Sequence, residues 1–142
     1  MLTDYFVSTP VEVQALDIAQ TPANSVSCLR AKRTDPVKIV QLQCCIDGVP
    51  FEQRMSLLDT MLVCQAGQEG PWIFRLPDVL ERRLASASAE EIDRFGKAWA
   101  ATEEWTRDGG TPRTIVTLLG AIAQLAVEAR AQEQSVYFWM SL

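Results

Sequence analysis

The hydrophobic positions of this 142-residue chain change period several times, and each change marks an element. Near the N-terminal end, Thr3–Ser8 (TDYFVS) has the aromatic and β-branched content of a strand. Ser135–Leu142 (SVYFWMSL) has the same character at the other extremity. A strand needs partners for its backbone N–H and C=O groups, and these two segments are natural partners for one another. Their pairing brings Tyr5 or Phe6 against Tyr137 or Trp139.

Between the extremities the period is mostly helical. Thr9–Pro10 with Glu12 predicts a short capped helix that turns Val13, Leu16 and Ala15 inward. Thr21–Asn24 reads as a loop and Val26–Ala31 as a second strand. Asp35–Pro36 starts a helix that carries Val37, Val40, Leu42 and Cys44 to a stop at Asp47–Gly48. Pro50–Arg54 reads as a helical turn; the short apolar run Leu57–Gln65 fits a strand or a helix continuing from Phe51, with helix followed by an extended segment as the preferred reading. After the Gly67–Gly70 turn, Pro71–Leu76 is extended, with Trp72 and Phe74 on one face and Ile73 and Arg75 on the other.

Pro77 opens a helix to Ala85 with Val79, Leu80 and Leu84 as its packing stripe. Ser88–Glu91 is a capping box, after which Ile92, Phe95, Trp99, Thr102 and Trp105 line one helical face. Asp108–Gly109–Gly110 breaks that helix. Thr111–Pro112 starts the longest one, which runs to Gln132 on a stripe of Ile115, Leu118, Ile122, Leu125 and Ala129. Leu119 and Ala126 widen the stripe, and Gly120, Ala121 and Ala123 are small enough to admit another helix closely. The pattern predicts one α+β domain over residues 1–142: a small mixed β-sheet including both terminal strands, covered by amphipathic helices.

Composition supports a real core, since 48% of the residues are hydrophobic. Area scaling gives roughly 7,300 Å² of folded surface against about 23,000 Å² for the extended chain. The net charge of −5, from 18 acidic and 13 basic side chains, gives no general attraction to nucleic acid or to an anionic membrane. Arg30, Lys32, Arg33 and Lys38 form the one basic cluster, either a solvated rim at a strand–helix junction or a contact for phosphate or an acidic partner. Cys28, Cys44, Cys45 and Cys64 show no metal-ligand spacing and sit among apolar neighbours, as free thiols in a reducing cytoplasm would. No signal-like segment opens the chain, and no apolar run approaches membrane-spanning length.

Histidine is absent, which removes most metal sites and the familiar nucleophile triads. Two candidate patches remain. Glu103 and Glu104 precede Trp105, although adjacent helical carboxylates diverge, and solvated helix residues are the simpler explanation. Glu69–Gly70–Pro71–Trp72 places a carboxylate beside an indole, with Arg75 nearby; a turn feeding a core strand explains the same residues. No phosphate-binding loop, GxSxG, zinc deaminase or EF-hand pattern occurs, and no cofactor or metal is implied.

Asp4–Val7, Thr34–Pro36, Glu69–Trp72, Trp99–Trp105 and Tyr137–Leu142 together resemble segments of a group of small bacterial proteins. That resemblance implies one domain whose tryptophan-bearing segments share an architecture, and it assigns no activity or cofactor. The chemistry leaves two expectations. One is a noncatalytic protein-interaction domain, an adaptor or immunity-type protein that masks a basic partner, with homo-oligomerisation through the last strand as a variant. The other is a small-molecule-binding domain or histidine-free enzyme using Glu69, Trp72, Arg75, Glu103, Glu104 and Trp105.

Overall fold

The computed structural model describes all 142 residues. Its strands are β1 (Leu2–Ser8), β2 (Leu29–Lys32), β3 (Leu62–Gln65), β4 (Trp72–Arg75) and β5 (Ser135–Ser141). Its helices are α1 (Pro10–Gln14), α2 (Pro36–Asp47), α3 (Leu57–Met61), α4 (Asp78–Ala85), α5 (Ala89–Ala100), α6 (Glu103–Arg107) and α7 (Pro112–Ala131). The strands form one sheet in the order β2-β1-β5-β4-β3, antiparallel at every pairing. The terminal strands lie side by side within it, in register from Leu2↔Ser141 to Ser8↔Ser135. The fold is therefore α+β, with both extremities in a single sheet.

Strand alternation gives the sheet two buried faces. Tyr5, Phe74, Val136, Phe138 and Met140 belong to the main core, which α2, α4, α5 and α7 fill from their apolar sides. Phe6, Ile73, Tyr137 and Trp139 form a smaller core on the other face. Val13, Leu16, Ile18 and Val26, from the segment joining β1 to β2, cover that face. This second layer explains why β5 is buried at every position from Ser135 to Met140. The cross-strand aromatics meet as Tyr5 with Phe138, centroids 5.2 Å apart, and Phe6 with Tyr137 at 5.9 Å.

Two polar ties hold the covering segment down. Trp139 Nε1 donates to the Ile18 carbonyl at 2.8 Å. Asp4, wholly buried on the same face, accepts from Arg30 Nε at 2.9 Å, from Arg30 Nη2 at 3.1 Å and from the Thr21 hydroxyl. Val26 and Cys28 belong to this segment, so β2 begins only at Leu29 rather than at Val26.

Several helical faces differ from the hydropathy stripe. Val37 and Val79 are exposed, the latter to 67%, whereas Lys38 and Glu81 on the same helices are only 1% exposed. In both cases a polar partner inside the fold outweighs the apolar alternative, as described below. Ala15 is exposed, and Glu12 accepts from the Ser8 hydroxyl at 3.2 Å instead of closing a capping box. The stripe from Ile92 to Trp105 is split between α5 and α6, with a break at Ala101–Thr102. That break lets Trp105 meet Trp99 edge-on, at 5.5 Å and 87°.

The glycine that admits a neighbouring helix is on α5, not α7. A β-carbon at Gly96 would lie 2.7 Å from Val116 Cγ2 and 2.9 Å from Val116 Cα, while one at Gly120 would meet open space. Contrary to the sequence expectation, α7 is long and apolar enough to cross a membrane. In this fold Ile115, Leu119, Ile122, Ala126 and Ala129 of α7 are instead buried in the main core.

Candidate functional site

The six candidate residues do not share one cavity. Glu69 is exposed on the turn before β4, and Trp72 is half-buried against the main core. Arg75, at the end of β4, donates to the Ser135 hydroxyl at 2.9 Å and meets neither Glu69 nor Glu104. It lines a small cavity of about 150 Å³ beside Pro77 and Asp78. Trp105 is buried and lines a different cavity, of about 400 Å³. Glu103 and Glu104 stand together in the first turn of α6 and line a third, of about 360 Å³.

That third cavity is a notch between the C-terminal half of α2 and the start of α6, with Gln41, Cys44, Cys45, Val49 and Phe51 as its other main walls. The α2 helix ends at Gly48 in the left-handed conformation, so its carbonyl end adds negative potential nearby. Gln41 Oε1 is buried and accepts no hydrogen bond. Glu103 pairs with Arg107 at 3.0 Å, with both side chains largely exposed, and Glu104 has no cation within 4.0 Å.

Both cysteines are present as thiols. Burial raises the Cys44 and Cys45 pKa values above the ordinary thiol range, which makes them poor nucleophiles. Cys28, on the opposite side of the sheet, is pushed up to about 11 by burial and, secondarily, by the Asp4 charge. No three residues among cysteine, aspartate and glutamate converge as metal ligands. An apolar-walled notch of acceptors and carboxylates is suited to hold a cationic side chain.

The surface as a whole has the same bias. Of 13 basic side chains, nine lie within 4.0 Å of a carboxylate, leaving Lys32, Arg33, Arg75 and Arg113. Of 18 carboxylates, eight are in such pairs and ten are not. Glu12, Asp17, Glu52, Asp59, Glu69, Glu90, Glu128 and Glu133 are unpaired and exposed.

Besides Asp4, two buried ions shape the interior, and sequence reasoning did not single them out for these roles. The Lys38 ammonium donates to the Arg33 carbonyl and to Asp108, and lies 4.3 Å from the Trp105 ring centroid. Its charge ties the β2–α2 connection to the α6–α7 turn, and the backbone carbonyl of Lys38 accepts Trp99 Nε1 at 2.8 Å. Glu81 Oε1 accepts the backbone N–H of Val136 at 2.7 Å. Lys38 carried a faint signal as part of the only basic cluster; Glu81 carried none, because a charge on a short helix reads as solvated. No family model, curated protein or solved structure matches this chain.

Proposed function

We propose that this chain is a noncatalytic interaction domain, of adaptor or immunity type, that engages a basic protein partner. In this reading the notch at Gln41, Glu103 and Glu104 receives a lysine or arginine side chain of that partner. The imbalance between ten carboxylates without a cation and four cations without a carboxylate carries the proposal. Such a surface accelerates encounter with a positive patch and repels acidic proteins.

The test compares native-extract capture by the wild-type chain and by the double variant Glu103→Lys/Glu104→Lys, whose changes are confined to the first turn of α6. The expected result is a stoichiometric complex with a basic protein that survives about 0.15 M salt and is lost in the variant. Capture of the same proteins by both forms, or of none by the wild type, would overturn the proposal.

A further inference from the structure

The longest helix, α7, packs into the fold on one side only. It is long and apolar enough to cross a membrane, yet just 33% of its apolar span is buried. On its outer side Val116 and Gly120 are half-buried and Val127 is exposed. Together with Ala123 they form one stripe, at spacings of four, three and four residues. That stripe floors a groove of about 490 Å³, whose facing wall includes Leu84 of α4 and Ile92 of α5.

Gly120 has no packing role inside the chain. It sits in the middle of a 20-residue helix, where glycine weakens the helix relative to alanine. Unlike Gly96, which Val116 requires, it has nothing within 4 Å of where a β-carbon would stand. The vacant position lets the axis of a helix from outside the molecule approach closely.

The stripe is its own complement. Read backwards it is Val, Ala, Gly, Val at the same spacings. A second α7, turned about a two-fold axis midway between Gly120 and Ala123, therefore runs antiparallel to the first. It lays Val116 against Val127 of the other copy and Gly120 against the other copy's Ala123. Bulky residues meet at both ends of the contact, and small ones at its centre.

Charge selects the same arrangement. Arg113 stands one turn before Val116, and Glu128 one turn after Gln124, both of which line the groove. Both ions are exposed, and neither has an opposite charge within 4.0 Å. Antiparallel pairing brings Arg113 of each copy towards Glu128 of the other, giving two ion pairs related by symmetry. Parallel pairing would instead set like charges together at both ends. We infer that the outer face of α7 is a homodimer interface, in which each α7 lies antiparallel against that of a second copy. No residue of the acidic notch lines this groove, so the pairing and the basic protein partner stand or fall separately.

Sedimentation equilibrium of the intact chain, from about 1 μM to about 1 mM, tests the inference, with a dimer dissociation constant expected in the micromolar range. Gly120→Leu raises helix propensity and places its β-carbon in open space, so the monomer keeps its fold. Its bulk at the crossing point is expected to weaken dimerisation by at least about tenfold. Arg113→Glu and Glu128→Arg each set like charges together twice across the two-fold axis, and each should weaken the dimer by about five- to tenfold. The double variant Arg113→Glu/Glu128→Arg restores both pairs and should return to within about twofold of wild type. That rescue is specific to the antiparallel arrangement. A chain that stays monomeric at the highest concentration, a Gly120→Leu dimer as tight as wild type, or a double variant no tighter than the single ones would each overturn the assignment.

Discussion

Glu81 offers the sharpest test of how the sheet is completed. Strand β4 ends at Arg75, opposite Tyr137, and Leu76 N still donates to the Val136 carbonyl at 2.9 Å. Pro77 then turns the chain into α4, so no strand carbonyl remains to accept the Val136 N–H. Glu81, one turn into α4, fills that place with its carboxylate oxygen at 2.7 Å. Replacing Glu81 by Ala strands a buried donor and removes a charged acceptor, which costs about 1.5–3 kcal/mol. The buried methylene adds about 0.8 kcal/mol, so the expected loss is about 2–4 kcal/mol. With a urea dependence of about 2 kcal/mol per molar, the midpoint falls by about 1–2 M.

Glu81→Gln retains an oxygen acceptor and is expected to cost only about 1 kcal/mol. Arg130 lies 3.6 Å from the other carboxylate oxygen but is 44% exposed, so Arg130→Ala should cost less than about 1 kcal/mol. The ranking Ala far worse than Gln identifies the hydrogen bond, not the ion pair, as the dominant contribution. Urea unfolding, with amide exchange at Val136, reads it directly. If Glu81→Ala and Glu81→Gln agree within about 0.5 kcal/mol, the acceptor role is wrong.

Further expectations follow from charge and packing. Glu91 is held at about 2 by hydrogen bonds from Arg83 and Ser88, and Asp78 and Asp108 are lowered chiefly by hydrogen bonds from Arg82 and Lys38. Burial pushes Asp4 upward, but its bonds to Arg30 and Thr21 and the Arg30 charge outweigh that and leave it lowered. Each carboxylate favours the folded state above its unfolded pKa of about 4, and the stability is lost as pH falls through the folded values. Thermal midpoints should therefore hold above about pH 5 and drop between about pH 4 and 2, less steeply in Glu91→Gln. The two helical glycines should respond with opposite sign: Gly96→Ala clashes with Val116 and should lose about 1–2 kcal/mol, whereas Gly120→Ala should gain about 0.5–1 kcal/mol, both read by thermal melts. Thr21→Val removes a tie to Asp4, so hydrogen exchange across residues 9–28 should quicken while α7 amides stay protected.

The sheet's central pair was legible because aromatic and β-branched residues at both extremities have no helical period, and the caps at Thr9, Asp35, Ser88 and Thr111 all accept the expected backbone N–H. The helical faces were less so. Val79 and Val37 look like core by hydropathy, yet the inward positions go to Glu81 and Lys38, whose partners are distant in the chain. Spacing along one helix cannot reveal a bond to a residue 55 or 70 positions away. The candidate site divided for the same reason. Glu103 and Glu104 do share a concavity, but Trp105, adjacent in sequence, lines another, with Lys32 and Arg33, and the charge contrast between the two comes from pairings that only the fold creates.

The place of β5 between β1 and β4 has a consequence for biosynthesis. Of the five strands, β5 is synthesised after the other four and yet lies inside the sheet, so until it emerges both flanking strands present bare edges and the aromatic layers on each side are half assembled. A truncation before Ser135 would therefore not shorten the domain at its margin; it would remove the keystone of the β layer.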